Sequence, residues 1–228
     1  MKYAPLYRIA GIAALLTVAI TLAQIVFGIV WPPPDFAPTA ASAVTVLEMA
    51  QAEPVRAFVS LDGLMIVDYL LLLVVYLALH AAQKERQPSL SALGTGLALV
   101  AIGLYFTANP ALTTFVLAGQ YDAATAASSG IVPATQMLFA NFQGTAFLVH
   151  YVVMGVAGIL VSVAMLRSGI FSRATAIAGI AQGAMMLVPV TFGTVGLIFA
   201  LGSLVPFIVW FVLVGRRLLA LAREEEAS

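Results

Sequence analysis

Two residues in this sequence are of types that do acid–base chemistry yet lie inside long apolar runs: Asp68 and His150. Asp68 sits in F-V-S-L-D-G-L-M-I-V-D-Y-L-L-L-L-V-V-Y-L-A-L-H, residues 58–80. An Asp at the centre of a membrane helix costs about 2.5–3.5 kcal/mol on insertion scales. It is therefore expected to face a bundle interior and to have a partner there. Imidazole changes charge near neutral pH, so an Asp68/His150 pair would bind a cation or relay a proton.

Other polar residues fall in stripes. Thr17, Thr21 and Gln24 share one helix face, and Asp62, Tyr69 and Tyr76 recur at seven-residue steps on another. Gln143 lies seven residues before His150, and Thr175 seven before Gln182. Residues seven apart sit nearly above one another on a helix. At about 1.5 Å of rise per residue, Asp68, His150 and Gln182 all fall near a bilayer midplane. The stripes outline a polar chamber opening outward through Asp62, Gln24, Asn141 and Gln143, with Asp68 and His150 at its floor. The alternative is that the same groups are interhelical hydrogen bonds that hold the bundle, at about 0.6 kcal/mol each.

The elements that must position these residues are membrane helices. The chain has 228 residues, 62% hydrophobic and only 9% charged, with mean hydropathy +1.07. Soluble domains carry about 45–50% apolar and about 25% charged residues. A hydrocarbon core about 30 Å thick needs about 20 apolar residues as helix. The sequence predicts an all-α polytopic membrane protein, a single bundle over 1–228, with six spans at 9–30, 58–79, 90–107, 137–166, 174–190 and 195–214. The apolar stretch over 9–30 outruns the about 7–15 residues of a signal peptide, so it reads as the first span.

Placing the N-terminus in the cytoplasm leaves only Arg56 outside among the 10 Lys and Arg residues. That is a strong positive-inside bias, and it predicts both termini in the cytoplasm. The cytoplasmic connections are short, with Ser89 and Ser172 as expected N-caps. Two longer connections, 31–57 and 109–136, face outward. The first allows a short helix near 42–52, and Pro110 is expected to kink a continuing third helix rather than end it.

Several classes of chemistry are excluded. Net charge is zero, without a basic patch, so nucleic acid has no electrostatic footprint to bind. There are no cysteines, which removes disulfides, thiolate metal sites and cysteine nucleophiles. His80 and His150 are the only histidines. His80 lies about 18 Å in depth from Asp68, too far for one haem to join it to His150. There is no H-E-x-x-H, G-x-S-x-G or phosphate-binding loop. Asp62 and Asp68 are about 120° apart around a helix, a poor start for a carboxylate dyad. No cofactor, metal ligand or catalytic residue is assigned. Gly179 and Gly183 form a GxxxG step of the kind that lets helices approach closely.

Asn141-Phe-Gln-Gly-Thr145 leads into a Gly-rich helix, followed by Leu166-Arg-Ser-Gly-Ile-Phe-Ser-Arg173 and Ala178-Gly-Ile. With Arg8-Ile-Ala-Gly11 at the start, this pattern resembles an uncharacterised bacterial membrane family, domain of unknown function four-three-eight-six. Where that pattern usually has Pro before the Arg, this chain has Ser172. The resemblance implies a six-helix protein of the bacterial inner membrane and carries over no catalytic residue.

Three functional classes follow. The leading one is a non-enzymatic membrane protein, an accessory subunit or a binder of an apolar ligand or lipid. Its partners would be the bilayer, another membrane protein or further copies of itself. The alternatives are a small secondary transporter or proton-coupled carrier with a midplane Asp/His site, and an intramembrane lipid enzyme.

Overall fold

The computed structural model describes residues 3–124, 130–190 and 192–227. Among these every regular element is a helix, ten in all: α1 Ala4–Val30, α2 Ala40–Ala52, α3 Pro54–Ser60, α4 Gly63–Gln83, α5 Pro88–Ala108, α6 Ala111–Ala118, α7 Ile131–Phe142, α8 Thr145–Ser168, α9 Arg173–Met185 and α10 Gly193–Ala227. Five continuous stretches are long and apolar enough to cross a membrane: Ala4–Val30, Gly63–Gln83, Pro88–Ala118, Ile131–Ser168 and Gly193–Ala227. Two of them are interrupted. Pro110 has no N–H, and the Ala111 N–H turns instead to Asn109 Oδ1 at 3.0 Å, so α5 kinks into α6 as Pro110 predicted. The second break falls at Gln143-Gly144, between α7 and α8.

Three expectations shift. The span placed at 58–79 begins at Gly63, because Asp62 holds a left-handed backbone, φ 58°, that ends α3. Asp62 is therefore not on the helix face that carries Tyr69 and Tyr76. Gln143 is the C-cap of α7, not a member of the His150 helix. The run expected to span at 174–190 is α9, 13 residues long, about 20 Å against a core of about 30 Å. Pro189 lies shortly beyond its end, where a helix does not continue. Of the two caps, Ser172 accepts the Thr175 N–H at 3.1 Å. Ser89 does not cap, since α5 already starts at Pro88, a residue favoured in the first helical position.

The chain divides into two compact units, and the boundaries fall inside α1, α4, α5 and α8. The first comprises 1–19, 68–103 and 148–228. Its interior combines many small residues with a few bulky ones such as Trp210 and Phe211. On α1, Ala10 is 0% exposed while its neighbour Ile9 is 58% exposed. Bulky side chains point outward and alanines inward, the arrangement expected where lipid is as apolar as the core. Glycines let the backbones touch. A Cβ on Gly11 would lie 3.0 Å from Gly215 O, one on Gly94 3.2 Å from Ala157 O, and one on Gly155 2.8 Å from Gly183 O. The GxxxG step of α9 is thus used against α8.

The second unit comprises 20–67 and 104–147. Here the two long connections are not loops. α2 packs on α3, α6 and α7, around Val46, Leu47, Leu61, Ala111 and Phe139, all fully buried. Thr39 caps α2, and Gln51 Nε2 donates to Ala118 O at 2.7 Å and Tyr121 O at 2.9 Å.

Candidate functional site

The first unit holds Asp68, His150 and Gln182. His150, 1% exposed, is fixed at both ring nitrogens. Nδ1 meets Ala101 O at 2.9 Å, and a carbonyl only accepts, so Nδ1 carries the proton. Nε2 is paired with the Tyr69 hydroxyl at 2.8 Å. The imidazole is thereby tied to α4 and α5. Asp68 is as buried as His150, 1% exposed. The Thr17 hydroxyl bears on its carboxylate, but neither carboxylate oxygen closes a hydrogen bond of normal geometry among the described residues. Gln182 is half-buried and donates to Met186 Sδ at 3.6 Å.

The second unit holds the other four sequence candidates. Asp62 and Gln24 come together in a cavity of about 120 Å3, with Ser60 and Trp31 in its wall. Asn141 and Gln143 do not join them there. Asn141 Nδ2 donates to Thr107 O at 3.0 Å and Gln143 Nε2 to Phe36 O at 2.9 Å, so both tie down backbone.

A larger cavity, about 410 Å3, lies in the first unit and escaped the sequence reading. Tyr7, Ala82, Arg86, Gly169, Ile170, Arg217, Leu221, Glu224 and Glu225 line it. Four stretches of chain meet around it. Arg86 Nη1 donates to Ser168 O at 2.6 Å and Arg217 Nε to Ile170 O at 2.9 Å. These carbonyls lie at the C-terminal end of α8, where cations are favoured. Arg217 Nη1 pairs with Glu224 Oε1 at 2.6 Å, the Tyr3 N–H donates to Glu225 Oε2 at 2.8 Å, and Arg8 pairs with Glu226. Lys84 Nζ donates to the Tyr3 hydroxyl at 2.6 Å, which raises the lysine above its ordinary pKa. Arg86 has no ion-pair partner among the described residues.

No family model, curated protein or solved structure matches the chain. The reading of function therefore rests on residues and geometry. No group of three His, Asp or Glu side chains is placed to hold a metal among the described residues. The arginine-lined cavity offers two guanidiniums, two carboxylates and an apolar wall of Ala82, Ile170 and Leu221. Its volume lies within the range of about 300–1,000 Å3 usual for small-molecule sites. Such a lining combines groups that attract an anion, Arg86 and Arg217, with groups that attract a cation, Glu224 and Glu225, beside apolar side chains. The sequence hid this site because its members come from segments far apart in the chain, each of which reads alone as a solvated loop or tail.

Proposed function

We propose that the chain is a non-enzymatic, six-pass protein of a bacterial inner membrane, with both termini cytoplasmic, that binds a phospholipid through the arginine-lined cavity. The observation that carries the reading is the cavity itself, in which Arg86 has no ion-pair partner among the described residues and stands near an apolar wall. Six passes are favoured by the bond between Tyr3 and Glu225, which joins the two ends of the chain and so requires an even number of crossings. Five long helices supply five; α9 with the turn after it supplies the return between α8 and α10. Cytoplasmic termini are favoured by the gathering of Arg8, Lys84, Arg86 and Arg217 in that region. Membership of the uncharacterised bacterial family is proposed on the motif residues alone.

The test is native mass spectrometry of the protein extracted in mild detergent from its membrane. A phospholipid-mass adduct is expected, with occupancy falling at least tenfold in an Arg86→Ala, Arg217→Ala double variant. A bare chain, or an adduct indifferent to both substitutions, refutes the reading. A larger assembly would make the protein an accessory subunit of its companions.

A second reading, a proton-coupled carrier, is favoured by Asp68. A buried carboxylate whose oxygens lack full hydrogen bonds is an expensive group to retain. Asp68→Asn would then abolish proton-coupled uptake while leaving the protein folded. Unchanged uptake in that variant removes the carrier.

A further inference from the structure

The small cavity of the second unit has a lining of one chemical kind. Ser60, Asp62 and Gln24, each with a side-chain oxygen, line it, and its remaining walls are Gly28, Trp31, Pro33 and Val59. No basic side chain faces it. Two further observations mark it as built. Ser60 is 8% exposed, yet its Oγ has no hydrogen-bond partner among the described residues. A buried hydroxyl normally finds one, and Ser60 is one of the residues that line the cavity. Asp62 stands in the left-handed region, φ 58°, where a residue other than glycine is uncommon. The strained peptide is held from outside: Asn109 Nδ2 donates to Asp62 O at 3.1 Å and to the Tyr105 hydroxyl at 2.8 Å. Backbone strain of this sort persists where the surroundings over-determine it, and it clusters at ligand sites. The nearest basic residue in sequence, Arg56, spends its Nη1 on Glu53 at 3.2 Å rather than on Asp62.

We propose that Asp62, Ser60 and Gln24 form a binding site for a small monovalent cation of sodium or potassium size. The sign follows from the lining, one carboxylate and two neutral oxygens without a cationic side chain. The valence follows from the same count, because calcium takes six to eight oxygen ligands, usually with several carboxylates. Zinc and similar metals prefer imidazole or thiolate, and neither is present. The size follows from the volume: about 120 Å3 holds an ion with part of its water shell. A drug-sized organic ligand needs about 300 Å3 or more. In this site the Ser60 hydroxyl gains the partner it lacks, and the left-handed turn at Asp62 aims the carboxylate where the helix periodicity of α4 would not.

The test uses the full chain in detergent, with thermal unfolding followed in sodium, potassium or choline chloride at equal ionic strength. Choline, whose charge is shielded by its methyl groups from close ligation by oxygen, serves as the reference cation. The expected result is a saturable rise in Tm with sodium or potassium over choline. That rise should disappear in Asp62→Gly and fall at least tenfold in apparent affinity in Ser60→Ala. Asp62→Gly is chosen because glycine adopts the left-handed backbone freely, so this variant folds without the carboxylate. Equal Tm in all three salts overturns the proposal. So does a cation response that survives in Asp62→Gly, since the ion would then bind elsewhere. Neither outcome bears on the arginine-lined cavity.

Discussion

Replacing Gly183 by Ala should loosen the first unit by an amount that the structure bounds. A Cβ built on Gly183 would lie 2.5 Å from Gly155 O, 2.8 Å from Ile159 Cγ1 and 3.1 Å from Ile159 N. Two of these atoms are backbone and cannot swing away. Non-bonded carbon atoms rest at about 3.5–4.0 Å, so α8 and α9 must separate by about 1 Å. Overpacking of that kind costs about 1–3 kcal/mol. The exchange of Gly for Ala returns about 0.8–1.0 kcal/mol of helix propensity, leaving a net loss of about 0–2 kcal/mol. Gly96 on α5 is the internal control, since a Cβ there would have nothing within 4 Å. Gly96→Ala should keep the propensity gain and stabilise by up to about 1 kcal/mol. The propensity gain cancels between the two variants, so they should differ by the overpacking cost of about 1–3 kcal/mol in reversible unfolding in mixed micelles. Gly155→Ala should mimic Gly183→Ala, its Cβ falling 2.8 Å from Gly183 O and 3.0 Å from Met186 Cβ. The double variant should cost less than the sum, because the first methyl already parts the helices. If Gly183→Ala and Gly96→Ala shift stability alike, α8 and α9 do not cross at these glycines and the packing described for this unit is wrong.

Three further outcomes follow from single contacts. Tyr69→Phe removes the hydroxyl paired with His150 Nε2 and should destabilise by about 1 kcal/mol in the same unfolding assay; no change would mean that the imidazole is not held through this hydroxyl. Ser172→Ala removes the cap of α9 and should cost about 1 kcal/mol, with Ser172→Asp restoring most of it; equal stability of the three would refute the cap. The absence of cysteine makes single-cysteine labelling clean: with both termini cytoplasmic, Asp122→Cys should react with an impermeant maleimide on intact cells and Glu85→Cys only after permeabilisation. The reverse pattern would invert the topology.

Hydropathy made the long helices legible because the signal is additive over about 20 residues. It averaged away local breaks. Asp62-Gly63 is a dipeptide that marks turns, yet the largely apolar stretches on each side of it absorb the signal, and the periodicity places Asp62 on a helix face it does not occupy. Pro189 carried the equivalent warning for α9. The helices of the second unit were partly visible, α2 as a short helix and α6 beyond Pro110. Their packing on one another was not, because a contact such as Gln51 to Ala118 joins residues far apart in sequence. The same reason hid the arginine-lined cavity: Arg86 was legible as a topological charge, but its tie to Ser168 O across the fold was not. Gln24 and Asp62 were legible as polar residues of one region, and the structure does bring them together. Asn141 and Gln143 had the same signal and serve backbone carbonyls instead. Residue type alone does not separate these cases.

What separates them is whether the polar atoms are already used. In a membrane interior an unmet polar group has no water to fall back on, so bonds to neighbours are the default and unmet groups need a reason. His150 has a partner at each ring nitrogen, and the contact to Ala101 O fixes its proton. That is the pattern of a structural tether between α4, α5 and α8. Asp68 and Ser60 are also enclosed, but, apart from the Thr17 hydroxyl that bears on Asp68, their oxygens close no bonds of normal geometry among the described residues. Truncating a satisfied group destabilises by orphaning its partner, whereas replacing an unmet one by an apolar residue removes a desolvation cost. His150→Phe should therefore weaken the fold, while Asp68→Leu should leave it as stable or more so. A protein that keeps a carboxylate at the cost of stability keeps it for something other than the fold, and the sign of that stability change is what divides tether from working group at this pair of residues.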